Sequence, residues 1–417
     1  MERIRLIILA AALQGGGFFS SFPEFDIPLQ FAGGIIGVLL GYYISAKLRK
    51  PPSKNDYNFC NCFSFCFSQT LMIIRKLLQF FIDFYTGSNL TKCEFVADEH
   101  WLFQILGFGM SPWEQRPLMD MGEDFLMGTL GSLLSTGGIF IYIRLRHKEA
   151  FRAAERKLSA LAQKVKNLPE RVKEKIKEEK EKLTQQTNIW DLLLWWCVRA
   201  AMIYAFITME NRAEATLLGV NLLATFAVSL LHMVFPSSSF LCRISYRVQS
   251  LITVIVFLGS YCGNYVFVYG ILSRYDLFLH FISGAVAVMA GYYVALSFIR
   301  NKTKTDSLII ALFAFTASLM IIPTHEMVEF IGDFIWGTSN QGFYWGPSDS
   351  SFFFKLFGHG VGNTQLYYLF DTMYDALLAS FTSVLSAVML YVFLRLHRQQ
   401  KTQRNDKTDT EKQKVSC

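Results

Sequence analysis

The sequence predicts an all-α, polytopic membrane protein of about ten transmembrane helices, and three observations carry that prediction. Of 417 residues, 52% are hydrophobic and only 18% charged, with 39 phenylalanines among them. The apolar residues gather into runs of about 20, the length a helix needs to cross about 30 Å of hydrocarbon. The basic residues gather at alternate ends of those runs, the pattern that membrane orientation selects. This composition excludes a soluble enzyme, a disordered chain and a disulfide-built scaffold. It also excludes nucleic acid as a partner, because the net charge of +7 lies in membrane-flanking clusters rather than on one basic face interleaved with aromatics.

The first run, residues 1–22, carries Arg3 and Arg5 as a basic flank that would also suit a signal peptide. Its register with a later span, described below, makes it a first membrane span instead. Runs at 27–47, 59–86 and 121–143 follow. Residues 144–188 form the one water-soluble stretch. There Leu158, Leu161, Val165, Leu168, Val172 and Ile176 recur at three- and four-residue steps, the signature of an amphipathic helix. Pro169 predicts a kink or split within it. Its excess of Lys and Arg suits a solvated linker, anionic lipid or a partner helix. Further runs at 189–209, 213–235, 250–272, 277–299, 306–336 and 369–394 complete the set.

The basic clusters at Arg3–Arg5, Lys47–Lys54, 144–188, Arg243–Arg247, Arg300–Lys304 and Arg395–Lys401 all fall on one side of these spans. That side is cytoplasmic by the positive-inside rule, which places both termini in the cytoplasm. The expected organisation is an N-terminal membrane repeat (1–145), a cytoplasmic charged helix and linker (146–188), a C-terminal membrane repeat (189–396) and a disordered cytoplasmic tail (397–417).

The chain repeats itself at a shift of 250 residues. Asp26 falls on Asp276, Gly34 on Gly284, Gly41-Tyr42-Tyr43 on Gly291-Tyr292-Tyr293, and Asp83-Phe84 on Asp333-Phe334. With one gap, Asp120 and Asp124 fall on Asp371 and Asp375, so their four-residue spacing is kept in both copies. Residues 1–22 fall on 251–272, which a signal peptidase would not remove. Six spans separate equivalent points, so the copies share an orientation, as parallel repeats do.

The second copy places ionisable groups where few belong. Asp276 stands at the mouth of one span with His280 one turn deeper, and Asp371 and Asp375 repeat that arrangement on another. Glu326, Glu329 and Asp333 lie on a third span and reach the same extracytoplasmic boundary. So many carboxylates beside an imidazole invite a divalent cation or shared protons. Oxygen-rich ligation with imidazole suits Mn, Fe or Zn, and Mg where waters complete the shell. The metal set is His280, Glu329, Asp375, Asp333, Asp371 and Asp276, with Glu326 as the catalytic base. Asp276 and Asp371 also suit the role of plain helix caps. His325-Glu326 stands in a HEMVE stretch that lacks the second His of a zinc peptidase. In the first copy Gln30 replaces His280, Lys76 replaces Glu326, Gln79 replaces Glu329 and Arg75 stands opposite His325. Either cation there can neutralise the neighbouring aspartates, which makes the first half a structural or regulatory copy.

At these residues the chain resembles the YjdF-like family of bacterial inner-membrane proteins. The shared pattern reads here as Asp276, His280 and Gly284, then Glu326, Glu329 and Asp333, then Asp371-Thr372 and Asp375, over about residues 189–396. The resemblance implies a multispanning inner-membrane protein and supplies no activity. The residues themselves suggest metal-dependent hydrolytic or lipid-modifying chemistry on a lipid or envelope precursor. A proton- or ion-coupled carrier and a structural or assembly protein are the alternatives.

Overall fold

The computed structural model describes residues 26–48, 54–86, 112–146, 168–235, 239–266, 275–298, 306–336 and 367–415. Among them every regular element is helical. In chain order they are α1 (Asp26–Leu48), α2 (Lys54–Thr86), α3 (Pro112–Arg146), α4 (Leu168–Gln186), α5 (Ile189–Thr208), α6 (Arg212–Ala224) and α7 (Ala227–Val234). A short 3₁₀ turn at Leu241–Arg243 precedes α8 (Tyr246–Val256), which widens into a π-helical segment, Phe257–Tyr265. Then come α9 (Tyr275–Phe298), α10 (Asp306–Trp336) and α11 (Tyr367–Val415).

Seven of the described helices are long and apolar enough to cross a membrane, or eight if the bent pair α6 and α7 is one span. A shorter apolar stretch, Ser307–Ile322, belongs to α10. The expected first span, 1–22, lies outside the described residues. Over their described residues the other expected runs are helical, apart from the turn at Thr225–Phe226 and some end residues.

Two trios of helices form the core. Helices α1, α2 and α3 pack on one another, as do α9, α10 and α11, and α2 joins the trios along α10. The seam is apolar and aromatic. The Phe59 ring lies 5.0 Å from Phe313 and 6.0 Å from Phe298, and Met72, Ile73 and Leu77 cluster with Leu319, Ile322 and Met373.

Hydrocarbon offers helices no hydrophobic drive to associate, so close backbone approach and shared hydrogen bonds must hold them. Both devices occur in each trio at equivalent places. A Cβ on Gly34 would collide with the Gly128 carbonyl, and one on Gly284 with the Ala379 carbonyl. Ser68 donates to the Gly34 carbonyl at 3.0 Å and lies 2.9 Å from Ser132. In the second trio Ser318 donates to the Gly284 carbonyl at 3.2 Å and lies 2.6 Å from Ser383.

Helices α5 to α8 form a third group, joined to α9 through α8. The expected single span at 213–235 is broken: α6 and α7 meet at a bend of 59°. Side chains from neighbouring helices satisfy both broken ends. Arg199 donates to the Thr225 carbonyl at 2.7 Å and to Thr225 Oγ1 at 3.2 Å, with its guanidinium 3.7 Å above the Phe226 ring. On the other side of the break the Gln249 carbonyl accepts from the Ser229 amide at 3.1 Å.

Two expectations change in detail, and a third falls at the edge of the described residues: Pro169 lies in the first described turn of α4, so the kink or split expected there has no described helix before it. Residues 147–167 lie outside the described part. The tail expected to be disordered continues α11 as helix through Val415. From Tyr367 to Val415 the sequence holds no Gly or Pro, and its many Lys, Gln, Arg and Glu residues are good helix formers. Finally, α4 does not merely link two bundles. Glu179 on it meets His232 Nδ1 at 2.7 Å and accepts from the Tyr246 hydroxyl, while His232 Nε2 lies 3.0 Å from the Ile244 carbonyl.

Candidate metal centre

The site lies where α9 and α11 begin and α10 nears its end, so one end of the second trio gathers groups from three helices. Asp276 and His280 stand one turn apart on α9 and therefore share a face. Asp375 projects from α11. His280 and Asp375 are buried, at 6% and 3% exposure, whereas Asp276 is half-buried.

His280 Nε2 lies 3.6 Å from Asp276 Oδ1 and 3.5 Å from Asp375 Oδ2. One ligand atom from each residue can be chosen so that all three lie within 4.8 Å of one another. These separations discriminate between two arrangements. A direct N–H···O hydrogen bond would draw the atoms to about 2.7–3.2 Å. Two ligand atoms held about 2.1 Å from one ion stand about 3.4 Å apart at a tetrahedral angle. The observed distances lie beyond the first range and admit the second arrangement, and equally an imidazole–carboxylate ion pair.

The expected set is thus gathered in part. Asp276, His280 and Asp375 come together. The side chains of Glu326, Glu329, Asp333 and Asp371 lie outside the described residues, although their backbones belong to α10 and α11. One residue enters that the motif reading passed over. The His325 ring centre lies 5.7 Å from that of His280, with 37° between the planes. Its signal was present in HEMVE but was weighed only as half of a peptidase motif.

The first trio answers the same position differently. Asp124, which the sequence shift would set against Asp375, forms ion pairs with Arg75, at 2.8 Å, and with Lys76. The internal neutralisation expected of either cation is performed by both. Gln30, standing where His280 stands in the second copy, is buried at 5% exposure.

These features define a class: a multi-pass, all-α membrane protein with a group of buried ionisable side chains at one end of a three-helix unit. Residues 190–396 match the family model described as "Predicted membrane protein (DUF2238)", and that half of the chain belongs to this family. The match spans α5 to α11 and contains Asp276, His280, His325 and Asp375. The YjdF-like resemblance is consistent with it. No curated protein and no solved structure matches the chain.

Proposed function

We propose that the second trio binds a divalent cation through Asp276, His280 and Asp375, and that the chain uses it for hydrolytic or lipid-modifying chemistry at the extracytoplasmic boundary of the inner membrane. The observation that carries the reading is the grouping of His280 Nε2 with the two carboxylates, at 3.6 and 3.5 Å, with one ligand atom from each of the three residues within 4.8 Å of the others. The first half supports it by contrast. The carboxylate equivalent to Asp375 is met there by Arg75 and Lys76, and the sequence supplies His325 and Glu326 in their place. Parallel duplication of the halves is part of the reading, supported by the shift of 250 residues and by the matching Ser–Gly contacts.

A cation here lowers the pKa of a bound water and polarises a carbonyl or phosphoryl oxygen. Residues of this chain do the rest. The carboxylates and His280 fix the ion, Glu326 serves as base, and Glu329, Asp333 and Asp371 stand on the same helices near the same mouth. The substrate is a lipid or envelope precursor, because the site lies at a membrane boundary. With the basic clusters cytoplasmic, both termini face the cytoplasm.

The test is metal analysis of the purified chain beside His280→Ala, together with the lipid profile of a deletion strain. Stoichiometric metal in the wild type, lost in the variant, is the expected result; no metal in either sinks the reading. A carrier is the second reading, favoured by the broken span and by Arg199 about halfway along α5, since broken helices and intramembrane charges recur in transport pathways. It predicts ligand-dependent flux in proteoliposomes that Arg199→Leu abolishes.

A further inference from the structure

We propose that His325 is a fourth ligand of the cation, so that two imidazoles and two carboxylates hold a Zn²⁺-like transition ion (Zn²⁺, Mn²⁺ or Fe²⁺) in preference to Mg²⁺ or Ca²⁺. This inference rests on the reading of Asp276, His280 and Asp375 as a cation site, and it adds both a residue and an ion class.

Geometry carries it first. A metal–nitrogen bond of about 2.1 Å puts an imidazole ring centre about 3.2 Å from the ion. Two rings on one ion then have centres about 5.2 Å apart at a tetrahedral angle and about 6 Å apart at a wider one. The His280 and His325 ring centres are 5.7 Å apart, inside that interval. The inclination of 37° between the planes also differs from a parallel stack.

His325 stands outside the group of three residues whose ligand atoms all lie within 4.8 Å of one another, so ligation would draw its ring inward and close the site from its open side. His280 is buried and His325 exposed, so an ion between them faces protein on one side and the surroundings on the other. Pro323 has no N–H to give to the Leu319 carbonyl, which loosens α10 close to His325. The ring therefore has room for the small shift that ligation requires. Corresponding residues agree: Arg75 stands opposite His325 in the duplication, and its guanidinium reaches Asp124 at 2.8 Å. The position is thus directed toward the matching carboxylate in the first trio, where the longer arginine side chain spans the gap.

Ligand chemistry then selects the ion. Ca²⁺ and Mg²⁺ take oxygen ligands almost exclusively, whereas imidazole suits Zn, Fe and other first-row metals. An ion that accepts a fifth ligand keeps a position for water beside four protein ligands, as a hydrolytic role demands.

The full chain, purified in detergent, is titrated with Zn²⁺ and with Co²⁺ as a spectroscopic probe, and X-ray absorption of the Zn²⁺ form counts the imidazoles. The wild type should bind one ion with two imidazoles, undisturbed by a large excess of Mg²⁺. His325→Ala should retain one imidazole and bind about 100-fold more weakly, at least the effect of losing an outer-shell partner. His325→Cys covers the case in which the alanine variant misfolds. With Co²⁺ it should show thiolate-to-cobalt charge transfer, which only direct ligation produces. Unchanged affinity and imidazole count in His325→Ala, or no such absorption in a folded His325→Cys, overturns the fourth ligand and leaves the three-residue site standing. A wild type that takes up neither ion overturns the underlying site itself.

Discussion

The two trios share a frame and differ at its mouth. In both, a serine pair on two helices holds a glycine carbonyl on the third, through Ser68, Ser132 and Gly34 in one and Ser318, Ser383 and Gly284 in the other. At the mouth, Asp124 meets Arg75 and Lys76, while Asp375 faces His280, with His325 beside it. The lesson is that the packing of a helical unit and the charge it presents are separable. Contacts deep in the trio tolerate no new atoms, whereas the end can be rewritten by a few substitutions. One half closes its charge internally. The other sets an imidazole between two carboxylates.

The sharpest way to break this comparison is to remove Asp124. Asp124→Leu leaves Arg75 and Lys76 buried without their shared carboxylate, and stripping one partner from buried ion pairs costs about 3–5 kcal/mol. A large fall in apparent melting temperature in detergent is expected. Asp375→Asn should instead leave melting of the metal-free chain nearly unchanged and weaken Zn²⁺ binding about 100-fold, equivalent to about 2.7 kcal/mol. If the two variants destabilise equally, the halves play the same part and the contrast fails.

Smaller effects sharpen the comparison. Gly34→Ala and Gly284→Ala each push a methyl against a backbone carbonyl that cannot swing aside, and such overpacking costs about 1–3 kcal/mol. The two losses should be alike, since this part of the frame is shared; melting curves of both variants check it. Glu179→Gln weakens the charge-assisted contact that holds α4 to His232 and Tyr246, worth about 1.5–3 kcal/mol. Limited proteolysis should cut α4 faster while the trios stay intact. Ser68→Ala and Ser318→Ala should each cost about 0.6 kcal/mol, the average for a hydrogen bond between membrane helices.

Much of this was legible because membrane helices announce themselves through composition alone. The runs at 27–47 and 277–299 became α1 and α9, and the four-residue spacing of Asp276 and His280 placed both on one face of a helix before any coordinates. The break at Thr225–Phe226 was not legible. No Gly or Pro marks it, because its cause lies in other helices: Arg199 and Gln249 satisfy the freed backbone groups from α5 and α8. The role of Glu179 was hidden for a similar reason. It is one of many charges on a soluble-looking helix, and only folding brings it to His232. His325 is visible in HEMVE, but its neighbour His280 comes from another helix, α9, and a motif read along one helix does not reveal such a pair.

The broken span also bears on how the chain enters the membrane. Its halves hold 13 and 8 residues, roughly 20 and 12 Å of helix, each too short to bridge the hydrocarbon alone. The partner for its carbonyl end, Arg199, emerges from the ribosome earlier, but the partner for its amide end, Gln249, is synthesised later. The contact at its amide end therefore forms only after α8 has been made, so the bent pair reaches its final packing together with its later neighbour.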